Sequence, residues 1–168
     1  YTFAGWATSA NGNKVYNDEQ SVSDLSSTNG ATVTLYAKWD IINYTIKYNT
    51  NGGNSIADKT YTIETETFDL PTPAKTGYTF NGWYTQSNFS DSPVTQITKG
   101  STGNKTFYAK WTANTYIVAF NANGGSGTMS DQNFTYGTAQ NLTANSYTRT
   151  RYTFAGWATS ANGNKVYN

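Results

Sequence analysis

The chain contains no cysteine and no histidine. That removes thiolate- and imidazole-based metal sites and every nucleophile system that needs a histidine base. Charge is scarce as well: eleven basic and ten acidic side chains make up 12% of 168 residues and leave a net charge of +1. Only Arg149 and Arg151 are arginines, so there is no electrostatic footprint for nucleic acid. No apolar run approaches the ~18 residues of a membrane helix, and no basic amphipathic stretch suits a membrane surface, so no membrane insertion is expected. With three prolines, one methionine and few Leu- or Ala-rich stretches, helical signatures are weak. What is plentiful is Thr, Asn, Ser, Gly and Tyr, with aromatics at 16%, a composition that suits β-strands joined by polar turns. A cysteine-free, Thr/Asn-rich chain also fits an extracellular, surface or wall setting, where folding without an oxidase is useful. The sequence opens on Tyr1 in what reads as mid-strand, as an excerpt of a longer polypeptide would.

Self-similarity organises the rest. Tyr1 to Asn17 (YTFAGWATSANGNKVYN) recurs unchanged as Tyr152 to Asn168, an offset of 151 residues. An older repeat lies within that unit: Tyr36-Ala37-Lys38-Trp39 returns as Tyr108-Ala109-Lys110-Trp111, and Asn51-Gly52-Gly53 as Asn123-Gly124-Gly125, both at an offset of 72. The motif Tyr-Thr-Phe-x-Gly-Trp begins at Tyr1, Tyr78 and Tyr152. These spacings divide the chain into the last part of one module (1–39), a complete module (40–111) and a third that stops before its closing strand (112–168).

Alternation of period two predicts the strands. Tyr44, Ile46 and Tyr48 share a face, as do Tyr116, Val118 and Phe120; in the closing strands Val33, Leu35, Ala37 and Trp39 share one, and so do Phe107, Ala109 and Trp111. Tyr36 with Lys38 and Tyr108 with Lys110 fall on the opposite, wetter face. In Tyr78-Thr79-Phe80-Asn81-Gly82-Trp83 the alternation slips at Gly82, which predicts a bulge that turns Trp83 back into the core; Phe154, Gly156 and Trp157 repeat the pattern. Gly52-Gly53 and Gly124-Gly125 predict tight turns with positive φ. Neither pair has the helix start and lysine of a phosphate loop. Pro71 and Pro73 fix an extended connection, replaced by residues 142–151 in the third module.

These motifs carry a resemblance. Tyr48-x-x-Asn51-Gly52-Gly53, then Leu70-Pro71-x-Pro73-x-Lys75-x-Gly77-Tyr78-x-Phe80-x-Gly82-Trp83-Tyr84, then Phe107-Tyr108-Ala109-Lys110-Trp111 closely resemble the repeat shared by Listeria and Bacteroides surface proteins, the B-repeat of internalin-type proteins. The resemblance spans essentially the whole chain in one complete and two partial copies. It implies mostly β structure, with small β-grasp-like modules in an elongated tandem array on a bacterial surface or secreted protein. It also implies a stalk or adhesion-associated role, no enzymatic activity and no cofactor. The third copy departs from the pattern where Arg151 stands before Tyr152 in place of glycine and where Pro-x-Pro is missing.

Sharper chemistry finds little support. Glu64 and Glu66, two apart on an expected strand face, would stand about 7 Å apart, within the range of a glycosidase pair, but their counterparts in the third module are not acidic. Asp58 and Asp131 are equivalent positions in different modules. Asp18, Glu19 and Asp24 lack the regular ligand spacing of a calcium loop. Asn43, Asn88, Asn104, Asn133 and Asn141 begin glycosylation sequons, a number that 20 Asn and 43 Ser or Thr produce by chance. Exposed aromatics can stack on sugars, and Tyr36, Tyr84 and Tyr108 are the candidates for a surface stripe, whereas Trp39, Trp83, Trp111 and Trp157 read as core. The expected partners are therefore neighbouring repeats, with a glycan or surface protein as the alternative. The spare closing strand at one end and the unclosed module at the other would permit head-to-tail strand addition; a window cut from a long uniform array explains the same ends. In a uniform array the two copies of the 17-residue segment adopt the same local conformation.

Overall fold

The computed structural model describes residues 1–167. Every regular element among them is a β-strand, with no helix, and so none long and apolar enough to cross a membrane. Ten strands follow in order: β1 Thr2–Ala7, β2 Tyr36–Asp40, β3 Tyr44–Asn49, β4 Lys59–Tyr61, β5 Phe68–Asp69, β6 Tyr78–Tyr84, β7 Gln96–Ile97, β8 Lys105–Ala113, β9 Thr115–Val118 and β10 Gln132–Thr135. They divide between two compact units. One comprises Tyr1–Pro73 with Gly82–Lys110, the other Ala74–Asn81 with the residues from Trp111 onward.

The complete module is organised by a four-stranded sheet of order β4-β3-β8-β6. β3 runs antiparallel to β4, Tyr44 opposite Tyr61 and Ile46 opposite Lys59. It runs parallel to β8, with Ile46 opposite Lys105, Tyr48 opposite Phe107 and Asn49 opposite Tyr108. The module's first and last strands are thus central neighbours, a non-local pairing that requires the whole intervening chain as its crossover. β5 and β7 add a short antiparallel pair beside it. The inward faces follow the alternation in the sequence: Ile46, Tyr61, Leu70, Trp83, Ile97, Phe107 and Ala109 are buried.

In the first unit β1 also pairs antiparallel with β2, and the register slips between Phe3 opposite Trp39 and Gly5 opposite Lys38. That is the bulge expected of this motif. Gly5, Gly82 and Gly156 share it in conformation, with φ of 134°, 121° and 131°, and a Cβ on Gly5 would stand 2.4 Å from the Tyr16 carbonyl oxygen. Glycine is required by both φ and close approach.

In the second unit β9 and β10 form an antiparallel pair, Tyr116 opposite Phe134 and Val118 opposite Gln132. Their rings stack at 5.5 Å. β9 ends at Val118, so Phe120 lies beyond it and packs on Trp157 at 4.8 Å.

Several expectations are corrected. β2 begins at Tyr36, which leaves Val33 outside it, and Val33, Ala37 and Trp39 are exposed, Trp39 at 59%. β2 has a strand on one side only among the described residues, so its apolar face meets too little of the chain to be covered. Glu64 and Glu66 do not share a strand face. Glu64 sits in the turn after β4 that Thr65 N–H closes on the Thr62 carbonyl at 3.1 Å, and Glu66 follows just after it, before β5. Tyr84 is 8% exposed and belongs to the core rather than to a surface stripe.

The two identical segments share their backbone bonds. Trp6 N–H donates to Tyr16 O at 2.8 Å and Val15 N–H to Trp6 O at 2.7 Å; Trp157 and Tyr167, then Val166 and Trp157, repeat both at 2.8 Å. Phe3 meets Trp6, and Phe154 meets Trp157, at the same 67°. They differ in that Thr2–Ala7 is a strand along β2, whereas residues 152–156 are in no strand and Trp157 makes a single bridge.

Candidate functional site

In the complete and third modules the repeated signature converges on one place, the junction of the Asn-Gly-Gly turn, the Tyr-Thr-Phe-x-Gly-Trp segment and, in the complete module, the closing strand. The turn is built by Thr50-Asn51-Gly52-Gly53. Gly53 N–H donates to Thr50 O at 3.0 Å, and the positive φ angles fall on Asn51 (47°) and Gly52 (85°). The expectation of two glycines in that conformation is corrected by one residue, since asparagine tolerates the left-handed region and the second glycine does not enter it. Asn123 (45°) and Gly124 (84°) repeat the geometry, with Gly125 N–H on Ala122 O at 2.9 Å.

This conformation frees the asparagine side chain for the neighbouring strand. Asn51 Nδ2 donates to the Ala109 carbonyl of β8 at 2.8 Å. One turn away, Tyr48 lies 5.2 Å from Trp83 and 6.4 Å from Phe107. Burial raises the Tyr48 phenol's pKa, with a smaller contribution from the Asp58 charge; its hydroxyl is buried with no hydrogen-bond partner among the described residues. Trp83, 2% exposed, donates its indole N–H to Pro71 O at 2.7 Å. Pro71 therefore does more than stiffen a linker, because it presents the acceptor that lets an indole be buried. Tyr61 closes the other end, its hydroxyl donating to Gly103 O at 2.6 Å, and its pKa is raised by burial and then by Tyr44.

Of the surface candidates, Tyr36 is 40% exposed on β2, Tyr108 is half-buried on β8, and Tyr84 packs edge-on against Phe89 at 5.5 Å beneath the Lys110 ammonium at 5.1 Å. The three do not form a common stripe. In the second unit Trp111 lies on Phe80 at 5.4 Å, and Lys75 stands 4.3 Å over the Tyr78 ring.

The carboxylates are dispersed. Glu66 pairs with Lys99 at 2.5 Å with both side chains largely exposed, a surface bridge of small worth. Glu64 accepts a hydrogen bond from the Tyr1 hydroxyl. Asp18, Glu19 and Asp24 lie in the exposed segment before β2, and no three acidic side chains among the described residues gather as a cation site. Sequence reasoning missed Asp91. It accepts from Thr85 N–H and Thr85 Oγ1, both at 2.8 Å, and closes the loop after β6. No repeat marks it, because the equivalent loop of the identical segments differs in sequence.

The observed architecture defines a class: a tandem β-repeat whose recurring residues are turn-formers and aromatic core, with no assembled catalytic constellation among the described residues. The chain belongs to the Listeria-Bacteroides repeat domain family, whose profile matches residues 1–38, 44–110 and 116–168. It is similar to two proteins of Evansella cellulosilytica. One, provisionally described as a Gly-rich membrane protein, is 34% identical over 75% of this chain and 14% of its own length. The other, provisionally described as a membrane protein, is 37% identical over 56% of this chain and 14% of its length. Internalin H of Listeria monocytogenes is 31% identical over 68% of this chain and 20% of its length. The chain thus spans a fifth or less of the length of these relatives. No solved structure matches it significantly.

Proposed function

We propose that this chain is a load-bearing spacer of a bacterial surface protein, built of small β-grasp-like modules in tandem and without enzymatic activity. The observation that carries the reading is the parallel pairing of β3 with β8. Tension applied to the complete module enters at the start of β3 and leaves at the end of β8. In a parallel pair these points lie at opposite ends of the ladder, so the load shears all its hydrogen bonds together instead of opening them one by one. Membership of a family named for Listeria and Bacteroides repeats, and the similarity to internalin H and to proteins described as membrane proteins, support a place at the cell surface.

Single-molecule stretching of the chain between handles tests the proposal. The complete module, residues 40–111, should unfold in one force-resistant event that releases its extended length of about 240–260 Å less the folded distance between its ends. Extension without such an event refutes the load-bearing role. An adhesive role would rest on Tyr36; saturable glycan binding abolished by Tyr36→Ala would favour it over the spacer.

A further inference from the structure

A single residue separates the last strand of the complete module from the first strand of the third. β8 ends at Ala113 and β9 begins at Thr115, with Asn114 alone between them. Its backbone faces both ways. Asn114 N–H donates to the Gly77 carbonyl, just before β6, at 2.9 Å, and the Asn114 carbonyl accepts from Tyr136 N–H, just past β10, at 2.8 Å. Its side chain adds a third bond, Oδ1 accepting from Thr79 Oγ1 of β6 at 2.7 Å. A linker this short, with its polar groups engaged on both sides, has no slack.

Gly77 lies in a turn that Tyr78 N–H closes on the Lys75 carbonyl at 3.0 Å, and its φ is 77°. The same turn recurs before Tyr152, whose N–H reaches the Arg149 carbonyl at 3.1 Å, and there Arg151 takes up a φ of 67°. Lys75 and Arg149 stand over the rings of Tyr78 and Tyr152 at the same 4.3 Å. The turn therefore accepts a side chain at this position, and its φ is not what demands glycine at 77. Tyr136 is what demands it. That ring packs edge-on against Tyr78 at 5.7 Å and lies so close over the Gly77 backbone that a Cβ there would fall into it.

The contact has a counterpart in the first unit. Tyr1 repeats Tyr78, and its hydroxyl donates to Glu64. Glu64 holds the position of Gly137, in the turn that Thr65 N–H closes on the Thr62 carbonyl as Thr138 N–H closes on that of Thr135, each at 3.1 Å. In both copies the tyrosine of the repeat motif thus reaches the same turn of the module that follows it, and only the receiving chemistry differs.

We infer that Gly77, Asn114 and Tyr136 form a locked joint between consecutive repeats, and that the residue before the motif tyrosine is its selector. Glycine lets the ring of the following repeat close over the backbone and hold Asn114 in place. Arginine in the same turn, as at position 151, excludes that ring. The joint acts as a fixed link rather than a swivel, whether or not the modules carry load.

Amide hydrogen exchange of the whole chain tests this. The Asn114 amide, held by the Gly77 carbonyl, should exchange at least about tenfold faster in Gly77→Arg. Gly100→Arg is the control for backbone cost, since its φ is also positive, at 88°, and nothing lies within 4 Å of a Cβ there; it should leave the Asn114 rate unchanged. Deleting the ring should remove the conflict, so that adding Gly77→Arg to a Tyr136→Ala chain leaves the Asn114 rate where Tyr136→Ala alone set it. A Gly77→Arg chain that exchanges at the wild-type rate overturns the proposal, and so does an acceleration of the same size with and without the Tyr136 ring, which is the pattern that misfolding unrelated to the ring would give.

Discussion

Asn51 joins the first turn of the complete module to its last strand, its side-chain amide donating to the Ala109 carbonyl 58 positions later at 2.8 Å. A residue that looks like turn chemistry is thereby also a long-range clasp. Asn51→Gly keeps the positive φ and loses the clasp, which should cost about 1 kcal/mol; Asn51→Ala adds the left-handed penalty and should cost roughly 2–3 kcal/mol. Urea unfolding of both variants checks it; an Asn51→Gly chain as stable as the wild type would show that the clasp contributes nothing, and equal losses in the two variants that the backbone penalty does not.

The tryptophans separate into unequal classes. Trp83→Ala removes an indole that is 2% exposed and bonded to Pro71, and should destabilise by roughly 3–5 kcal/mol. Trp39→Ala, at 59% exposure, should change stability by less than about 1 kcal/mol. Thermal melts distinguish them; comparable losses would mean that β2 is covered in solution.

Tyr48→Phe should be neutral or stabilising by up to about 1 kcal/mol, since it deletes a buried hydroxyl that has no partner among the described residues. The third module already carries the substitution as Phe120. Because burial raises the Tyr48 pKa above 10.0, the neutral phenol's contribution is complete below pH 10 and is lost as pH rises through the folded value. Alkaline melts of the wild type and Tyr48→Phe should therefore diverge only above about pH 10.

Gly82→Ala should destabilise by about 1–3 kcal/mol on backbone grounds, because φ is 121° and the new Cβ would lie 2.9 Å from Pro93 Cβ. Gly30→Ala is the control. Its φ is also positive, at 71°, but nothing lies within 4 Å. Denaturation midpoints should fall further for Gly82, and the difference measures the clash together with the larger backbone penalty at 121°.

Burial pushes the Asp91 pKa up, but hydrogen bonds from Thr85 Oγ1 and from the Thr85 and Gln86 amides outweigh it, and the net position lies below 3.8. With a depressed folded value the loop is held above the ordinary carboxylate range and released as pH falls through the folded value. The Thr85 amide resonance should titrate with a midpoint below 3.8; a midpoint at or above it would contradict the geometry.

The sequence was most informative where a residue acts through its own backbone or through its immediate neighbours. The positive φ of Gly82, the turns after Tyr48 and Phe120, and the inward positions Ile46, Phe107 and Ala109 were all legible, since alternation and positive φ are local properties. Tyr84 and Trp39 were misread for the same reason. Whether a ring on a strand is covered depends on what the topology brings over it: Phe89 with Lys110 covers Tyr84, whereas Phe3, edge-on at 5.5 Å, still leaves Trp39 59% exposed. The parallel pairing of β3 with β8 leaves no local trace, and neither does the acceptor role of Pro71.

The sealed indole of Trp83 gives the chain an optical gauge of its own. An indole away from water emits at shorter wavelength and is shielded from dissolved quenchers, while that of Trp39 is open to both. Acrylamide should quench the red side of the emission first and spare the blue. In a variant whose half-buried Trp6, Trp111 and Trp157 are replaced by phenylalanine, loss of the blue component during unfolding then reports the Pro71–Trp83 contact, and with it the state of the complete module, without any label.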